Sequence, residues 1–574
     1  MTNSSGQIHD SAAGSANPGV PATTAEGWRT SPDQQATGYP SSVPYIIGNE
    51  GCERFSFYGM KSILQVHLTA LYLAIYAGEG LTRELAGNRA QEMVHVFIAG
   101  VYAFPMIGAI LADRFLGKYR TILWLSLVYC AGHAVLAVGE DSLEGMALGL
   151  GLIAIGSGGI KPCVSANVGD QFGKGNWHLV TKIFQAFYFI INFGSFFATL
   201  AIPWLKEAYG TSVAFGVPGV LMFIATVVFW LGRHRYVHVQ PRPGGKLGAL
   251  DFASSSLLFL GLIGLPLFFT KLLSTEVFFA LMASLTGLGY WLFRARQRQA
   301  IDLGFLACAF EGVADVVRGD AARARASAAA DGPEIYRHRL FAAVAERHGA
   351  AVAEGPAAVL RIVSVFFLIS VFWALFDQHS SSWIRQAEMM DRKLTLPLFG
   401  SRELLASQIP SLNPLMVMML IPLNNFVLYP LIGKVVTVTP LRKITIGMGM
   451  AAAAFALVAM IQEQIVAAAG TADKVPIAWQ ILPYFVMTQA EVMVSVTGLE
   501  FAYTQAPTRM KSTIMGFWLL TVALGSKLVV VITQMPDLPL HQFFWVFTVL
   551  MAAATVLFAA RAAFYHYRDY AQEG

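Results

Sequence analysis

Charged side chains are scarce in this chain. Of its 574 residues only 13% are Asp, Glu, Lys or Arg, whereas 55% are hydrophobic and the mean hydropathy is +0.55. Soluble domains carry about 25% charged residues, which they need to cover their surface. The deficit excludes an ordinary soluble protein and predicts a membrane protein with many spanning segments.

Cysteine is also rare, and enzyme motifs are missing. The four cysteines, Cys52, Cys130, Cys163 and Cys308, predict neither a disulfide framework nor a metal site. The sequence contains no H-E-x-x-H motif. A membrane-embedded enzyme or a receptor is therefore only a minor alternative, and neither a cofactor nor a metal is expected.

A secretory signal is missing from the N-terminus as well. Residues 1–43 are rich in Ser, Ala, Gly, Thr and Pro and contain no apolar run. This composition predicts a disordered, solvated tail rather than a cleaved signal peptide.

Long apolar runs, by contrast, are abundant. A spanning helix needs about 20 mostly apolar residues. Fourteen such segments occur, at 45–75, 93–112, 120–138, 144–165, 181–205, 213–232, 249–270, 275–294, 359–380, 413–433, 443–466, 476–504, 512–533 and 541–565. The fold class predicted from this pattern is an all-α polytopic membrane protein.

The basic residues predict the orientation of these segments. With the N-terminus inside, the inner connections include DRFLGKYR (113–120), RHRYVHVQPRPGGK (233–246) and RARQR (294–298). The outer connections EDSLE (140–144) and MPDLP (535–539) contain no Lys or Arg. Because Lys and Arg are concentrated in cytoplasmic loops, both termini are expected in the cytoplasm.

The predicted segments group into two halves joined by a longer connection. The Ala/Arg/Glu-rich stretch between them indicates a linker and shows no chemical motif. The predicted domains are a tail (1–43), an N-terminal six-helix bundle (44–235), a two-helix insertion (236–298), a cytoplasmic linker (299–357), a C-terminal six-helix bundle (358–566) and a short tail (567–574).

The first apolar segment carries a polar stripe. At 100° per residue, Glu50, Glu53, Arg54, Phe57 and Lys61 fall within an arc of about 100°. Charges inside a membrane are costly, so this stripe is expected to face protein or water rather than lipid. Arg54 can pair with Glu50 one turn away.

A second intramembrane cation occurs in GSGGIKPCVSA (156–166), where Lys161 follows glycines that allow close helix approach. If the first and fourth segments run in opposite directions, Lys161 and Glu53 lie at similar depths. This placement predicts an ion pair that protonation of the acid would break, which is a candidate proton switch.

Other polar residues interrupt the apolar segments. Glu491 lies near the middle of 476–504, one turn from Ser495, whereas Glu500 is predicted on the opposite helix face. Most such residues can serve as structural hydrogen-bonding groups, but an acid at the midplane favours a functional role. The remaining candidates are His95 and Tyr102 on one face, Tyr188 and Asn192 on one face, and Asp377 at the end of SVFWALFD.

Five stretches resemble the proton-dependent oligopeptide transporter family of the major facilitator superfamily, over nearly all of residues 45–565. They are E-x-x-E-R-F (50–55), GSGGIKPCVSANVGDQF (156–172), FYFIINFGS (187–195), FWALFDQHSSSW (372–383) and SVTGLEFAYTQAPTRMKS (495–512). The resemblance implies two six-helix bundles around a central cavity, with the helix pair at 249–294 as an insertion found in many bacterial members.

The resemblance also implies roles for individual residues. Those matching proton-coupling positions are Glu50, Glu53, Arg54, His95, Lys161 and Asp377, the last in an outer gate. Those matching peptide-binding positions are Lys61, Tyr102, Lys161, Tyr188, Asn192, Asn413 and Glu491, with Trp373 and Trp518 as cavity walls and Tyr58 and Glu500 as further candidates. The chain departs from the family pattern at Lys61, where Arg is usual, and at Phe57, where Tyr is frequent.

The function implied is proton-driven symport of di- and tripeptides by a monomer in a bacterial inner membrane. The partners expected are peptides, protons and the bilayer, with no nucleic acid. The proton gradient takes the place of a cofactor, and whether His95 or Glu53 is protonated first stays open. The alternative keeps the fold and changes the cargo to nitrate, another organic anion or an amino-acid-like solute.

Overall fold

The computed structural model describes most of the chain. The residues it describes are 28–269, 273–329, 332–396, 400–434, 437, 439–470, 474–505, 507, 510–535 and 538–568. Residues 1–27 of the predicted N-terminal tail and residues 569–574 of the predicted C-terminal tail lie outside these ranges.

The first six helices form one bundle. They are α1 (Val43–Ile75), α2 (Arg83–Ile110), α3 (Lys118–Val138), α4 (Leu143–Gly169), α5 (Val180–Tyr209) and α6 (Thr211–Leu231). Within the bundle α3 packs against α4 and α6, α1 packs against α5 and α6, and α2 packs against α4. A π-helical turn, Leu111–Leu116, extends α2 at its end.

Glycines bring α2 and α4 into close contact. A Cβ added at Gly108 would lie 2.6 Å from the Cα of Gly159, and one added at Gly158 would lie 2.4 Å from the Cβ of Phe104. These separations are shorter than van der Waals contact, so only glycine allows the two backbones to approach this far. The close approach holds Lys161, in the next turn of α4, near α1 and α2.

A helical hairpin follows the first bundle. It consists of α7 (Gly245–Phe259), a π-helical turn (Leu260–Gly264), α8 (Leu265–Phe268) and α9 (Thr275–Gln299). Phe259 and Leu267 of the hairpin share a buried apolar cluster with Ala103 of α2 and with Leu520. Arg296 donates to Asp251 at 2.5 Å and ties the two arms together.

The connection between the bundles is folded. It forms α10 (Phe305–Arg318), α11 (Asp320–Ser327) and α12 (Ala342–His348), with a small apolar core around Cys308, Ile335, Phe341 and Val344. We call the side of the molecule that carries these three helices the linker end. The stretch predicted as a linker thus contains three short helices.

The second bundle begins with α13 (Ala350–Phe376), which is followed by the short helix α14 (Ser382–Glu388) and a strand hairpin of β1 (Lys393–Leu396) and β2 (Gly400–Glu403). The strands pair in antiparallel register with Lys393 opposite Glu403. These strands were not part of the predicted all-α architecture. Strands of four residues are too short to leave a clear alternating pattern in the sequence. We call this side of the molecule the strand end.

Five further segments complete the second bundle. They are formed by α15 (Leu412–Leu423) with α16 (Tyr429–Gly433), α17 (Pro440–Ala467), α18 (Ile481–Glu491) with α19 (Thr497–Thr504), α20 (Lys511–Thr533) and α21 (Leu540–Ala563). The turns Asn424–Leu428 and Val492–Val496 that join the paired helices are π-helical. The two bundles meet mainly where α2 packs against α20 and where α5 packs against α15.

Short 3₁₀ helices occupy many of the connections. They are Ala77–Glu79, Trp177–Leu179, Gly232–His234, Glu334–Arg337, Asp377–Ser380, Ala406–Ser411 and Ile477–Gln480.

Among the described residues, twelve helical segments are long and apolar enough to cross a membrane by length and composition. They correspond to twelve of the fourteen segments predicted from the sequence. The two others are helical as well, in Val43–Ile75 and in α18 with α19. Both contain acidic residues of the candidate site.

Residues 28–42, within the predicted tail, contact the loops at the linker end. The amide of Gly175 donates to the carbonyl of Gln34 at 3.1 Å, and the amide of His238 donates to the carbonyl of Arg29 at 2.7 Å. This part of the chain therefore runs along the linker end before α1 begins.

Candidate functional site

The polar stripe of α1 is turned into the first bundle. Glu50 and Glu53 are 1% and 0% exposed. Arg54 Nε lies 2.7 Å from Glu50 Oε1 and 3.3 Å from Glu53 Oε2. Lys161 Nζ lies 3.8 Å from Glu53 Oε1, and Ser157 Oγ donates to that same oxygen at 3.2 Å. Two buried acids thus face two bases whose side chains are 12% and 6% exposed, and we call these four residues the α1–α4 charge cluster.

The ammonium of Lys161 is held loosely within this cluster. Nζ makes no hydrogen bond to any of the described residues. It lies 4.2 Å from the ring centroid of Phe57 and 5.5 Å from that of Tyr102. Aromatic faces attract a cation without fixing its direction. Lys161 therefore keeps donors to offer a ligand, and Phe57 supplies a ring face at a position where a hydroxyl is frequent in the family it resembles.

A second ion pair joins the two bundles. Lys61 Nζ, on α1, donates to Asp377 Oδ1, at the end of α13, over 2.9 Å. The two side chains are only 5% and 4% exposed. The family resemblance implied peptide binding for Lys61 and an outer gate for Asp377. The structure instead pairs the two side chains with each other. The pair closes the space between the bundles in the half of the molecule nearer the strand end.

His95 makes a similar contact beside this pair. Its Nε2 lies 2.9 Å from Ser381 Oγ, so α2 of the first bundle touches the turn after α13 of the second. The ring is fully buried. His95 and Asp377 thus both belong to the contact between bundles, whereas Glu53 and Lys161 belong to one bundle alone.

An acid on the second bundle faces the same interior. Glu491, at the end of α18, accepts from Asn413 Nδ2 at 2.7 Å, and Asn413 Nδ2 also lies 3.2 Å from Thr488 Oγ1. Glu500 is exposed. The structure therefore assigns the interior position to Glu491. The residues after Glu491 form a π-helical turn, in which the rotation per residue differs from the 100° of an α-helix. The helix faces predicted for Ser495 and Glu500 relative to Glu491 therefore do not apply.

The structure brings the remaining predicted residues together in pairs. Asn192 Nδ2 donates to the backbone carbonyl of Tyr188, one turn earlier in α5, at 3.0 Å. The rings of Trp373 and Trp518 meet edge to face, with centroids 6.1 Å apart. Tyr102 packs near Lys161, as described above. The predicted aromatic walls are thus in contact with each other.

The sequence analysis missed His379. This buried residue lines a small pocket between the bundles together with Tyr58, Lys61 and Asn413. It stands inside FWALFDQHSSSW, the stretch used to recognise the family, and no role was assigned to it. A titratable histidine two residues after Asp377, at the end of a long apolar run, is the signal that could have identified it.

The arrangement suits binding and proton exchange rather than bond-making chemistry. Positive groups, Arg54 and Lys161, lie on the first bundle, and the acid Glu491 lies on the second. Among the described residues there is no group of three or more His, Cys, Asp and Glu that could hold a metal ion. A zwitterion lying between the bundles could reach the ammonium of Lys161 on one side and the carboxylate of Glu491 on the other, although Lys161 also faces Glu53.

Comparisons with known proteins point in the same direction. The profile described as the POT family matches residues 119–257 and 344–549. The chain is 32% identical to human "Solute carrier family 15 member 2" over 452 residues, which are 76% of this chain and 51% of the human protein. It is 32% identical to "Peptide transporter family 1" of Drosophila melanogaster over 447 residues, 75% of this chain and 49% of that protein. The chain spans about half the length of these curated relatives.

A solved structure covers the chain more fully. The crystal structure of the POT family transporter PepTSo superposes with a TM-score of 0.72 at 38% sequence identity, covering 92% of this chain and 98% of that one. This likeness confirms the predicted arrangement of two bundles of major facilitator type.

Proposed function

Because the chain belongs to the POT family, we propose that it is a proton-coupled symporter that imports di- and tripeptides by alternating access. The observation that carries this proposal is that Lys161, an ammonium without a hydrogen-bond partner among the described residues, lies on the first bundle, while the acid Glu491 lies on the second. Arg54 and Lys161 supply positive charge from the first bundle, and Glu491 supplies negative charge from the second. A di- or tripeptide with free ends carries the complementary charges, a carboxylate at one end and an ammonium at the other.

The two ends of the peptide would be held by charge-assisted hydrogen bonds, which are about twice as strong as neutral ones. The carboxylate would bind Lys161, whose ammonium has donors to spare. The ammonium would bind Glu491 and the amide oxygen of Asn413. Tyr188, Asn192 and the two tryptophans would contact the backbone and side chains between these ends.

Proton coupling would act through Glu53. While ionised, Glu53 attracts Lys161 across 3.8 Å. Protonation removes that negative charge, and Lys161 becomes free to engage the peptide carboxylate. Loss of the proton on the cytoplasmic side would restore the Glu53–Lys161 attraction and displace the peptide. Glu50 would keep Arg54 in place throughout, through their 2.7 Å contact.

The outer gate would be the Lys61–Asp377 pair with the His95–Ser381 contact. Both join the two bundles, so both must open when the cavity faces outward. His95 lies in this contact and would meet protons arriving from outside, which supports a role before Glu53. Since all these groups come from one chain, a monomer in the bacterial inner membrane would suffice.

Uptake into proteoliposomes tests the proposal. Labelled dialanine is expected to accumulate above its external concentration when an inward proton gradient is imposed, and only to equilibrate when a protonophore removes the gradient. Unlabelled dialanine should compete, whereas nitrate and free alanine should not. Equal uptake with and without the gradient would refute proton coupling, and competition by nitrate or alanine alone would favour another solute.

A further inference from the structure

An arginine of the second bundle reaches into the first bundle at the strand end. Arg385 lies on α14, one turn beyond Ser381, and its guanidinium lies against α2. Nη1 donates to Asn88 Oδ1 at 2.8 Å and to Gln91 Oε1 at 3.0 Å, and Nη2 donates to the carbonyl of Glu84 at 3.4 Å. One side chain thus makes three hydrogen bonds across the contact between the bundles.

The face of α2 that receives Arg385 depends on helix geometry and on one glycine. Glu84, Asn88 and Gln91 are spaced i, i+4 and i+7, which puts them on one face of the helix. Gly87 lies among them. A Cβ added at Gly87 would lie 2.8 Å from Nε of Arg385 and 3.0 Å from its Cζ, both shorter than van der Waals contact. The missing side chain leaves the space that the guanidinium fills, which we call the Gly87 notch.

Gln91 extends the contact to another helix of the second bundle. It is fully buried, and its Nε2 donates to Thr533 Oγ1, at the end of α20, over 3.1 Å. Its Oε1 accepts from Arg385 at the same time. Gln91 therefore ties α2 to both α14 and α20. Separation of the bundles at the strand end must break both contacts.

The hydrogen-bond acceptors of Arg385 are all uncharged, being two side-chain amides and one backbone carbonyl. The Lys61–Asp377 pair differs, because separating it parts two opposite charges that are buried together. When the guanidinium withdraws from α2 it leaves no unpaired charge behind, which keeps the cost of release low. Arg385 is also only partly buried, so its side chain already reaches solvent. The contact is therefore one that can form and release.

We propose that Arg385 is a positioning residue of the transport cycle: it holds the strand end closed while its guanidinium occupies the Gly87 notch, and it leaves the notch before the cavity opens outward. The inference rests on the proposed function, since it takes outward opening to be a step of transport. It adds to the Lys61–Asp377 pair a second contact, which contains no carboxylate. Loss of this latch shifts the protein toward the outward-open state.

Access to a buried cysteine from outside measures how often the strand end opens. Ser62 lines the small pocket beside Lys61, and its hydroxyl donates to Gly59 O at 2.7 Å within its own helix, so Ser62→Cys is a mild reporter. It is introduced into a chain whose four native cysteines are replaced by alanine. A membrane-impermeant maleimide is then added outside sealed right-side-out vesicles, and the labelling rate is measured.

A reference cysteine checks which way the strand end faces. Gln464 is exposed near the end of α17, at the strand end, so Gln464→Cys should be labelled rapidly. Failure to label this position from outside would place the strand end in the cytoplasm and overturn the proposal.

Both sides of the notch are tested by substitution. Arg385→Gln removes the charge, and Gly87→Ala displaces the guanidinium, which is the end of a flexible side chain and can move without a backbone shift. Each is expected to raise the labelling rate of Ser62→Cys by about 10- to 100-fold, the effect of losing one hydrogen bond to a charged group. Arg385→Lys keeps the charge but not the planar fork, so its rise should be smaller.

Matched controls separate the latch from a general loss of stability. Arg392→Gln removes an arginine at the strand end whose partner, Glu403, belongs to the same bundle. Gly151→Ala adds a Cβ that meets nothing within 4 Å, and Gly158→Ala disturbs a helix contact inside the first bundle. None of these three variants should raise the labelling rate of Ser62→Cys.

The outcomes keep the two proposals apart. Labelling of Gly87→Ala and Arg385→Lys at the wild-type rate overturns the latch, even where Arg385→Gln does not fold, and leaves the symporter proposal intact. An equal rise in the three controls also overturns the latch. Gradient-driven dialanine uptake is measured separately, and its absence in the wild-type protein refutes the proposed function while the labelling rates still report on the contact.

Discussion

Lys61 and Asp377 form an ion pair in which both side chains are almost fully buried. Removing one partner of such a pair typically costs about 3–5 kcal/mol, because the other charge is left unpaired. Lys61→Met is therefore expected to lower the thermal unfolding temperature of the protein in detergent. The double variant Lys61→Met, Asp377→Asn is expected to recover much of that loss, because it leaves no unpaired charge. A single variant as stable as the wild-type protein would show that the pair does not form.

Glu491 and Glu500 form a natural comparison, since one is in the interior and the other is exposed. Glu491→Gln keeps the shape but loses the charge that would bind the peptide ammonium. We expect a rise of about 10- to 100-fold in KM for dialanine, the effect of one hydrogen bond to a charged group. Glu500→Gln should leave KM unchanged.

Blocking the peptide's amino end provides the complementary measurement. N-acetyl-dialanine should compete poorly with dialanine in the wild-type protein and nearly as well as dialanine in Glu491→Gln. An unaltered preference for the free amine in that variant would contradict the role of Glu491.

At the residue scale the sequence predicts contacts within a helix better than contacts between helices. Glu50 and Arg54 are four residues apart on an uninterrupted helix, so their pairing follows from helix geometry. Lys61 and Asp377 are 316 residues apart, and no local pattern links them. His379 was missed because its place in the lining of a pocket between the bundles depends on how the helices pack, which no local pattern shows.

At the scale of elements, the contact between α2 and α4 depends on small residues. A Cβ at Gly158 would meet Phe104 at 2.4 Å, whereas one at Gly151, on the same helix, would meet nothing within 4 Å. Gly158→Ala is expected to destabilise the protein by about 1–3 kcal/mol through overpacking. Gly151→Ala should be neutral or slightly stabilising, because alanine favours helix more than glycine does.

Thermal unfolding of the two glycine variants under one condition checks this prediction. A lower unfolding temperature for Gly158→Ala alone would agree with the close helix contact. Equal stability of both variants would mean that α2 and α4 do not approach as described. Dialanine uptake should fall with Gly158→Ala as well, since the same contact positions Lys161 near Glu53.

The spanning helices were predictable, because a run of about 20 consecutive apolar residues in a membrane can adopt few structures other than a helix. Their internal irregularities were not. The π-helical turns at Asn424–Leu428 (NNFVL) and Val492–Val496 (VMVSV) share no sequence pattern that distinguishes them from α-helix. Each adds a residue to a turn and rotates the faces that follow, so helical-wheel arguments fail beyond them. The strand hairpin was missed for a different reason, its short length.

At the scale of the whole molecule, each bundle contributes half of the site. The first supplies the α1–α4 charge cluster and the second supplies Glu491, and the Lys61–Asp377 pair joins them. Alternating access requires that the Lys61–Asp377 pair separate while each bundle keeps its own fold. The number of segments followed from hydropathy, but the arrangement of two bundles came from the resemblance, because hydropathy alone does not determine which helices pack together. The cytoplasmic placement of the termini stays a prediction from the basic loops.

The central claim is that protonation of Glu53 couples the gradient to peptide movement, and Glu53→Gln tests it most directly. Glutamine resembles the protonated acid in shape and charge, so this variant should still exchange labelled for unlabelled dialanine across proteoliposomes at equal pH. It should lose gradient-driven accumulation, while Glu500→Gln retains both activities. Accumulation by Glu53→Gln at the wild-type level would contradict the account.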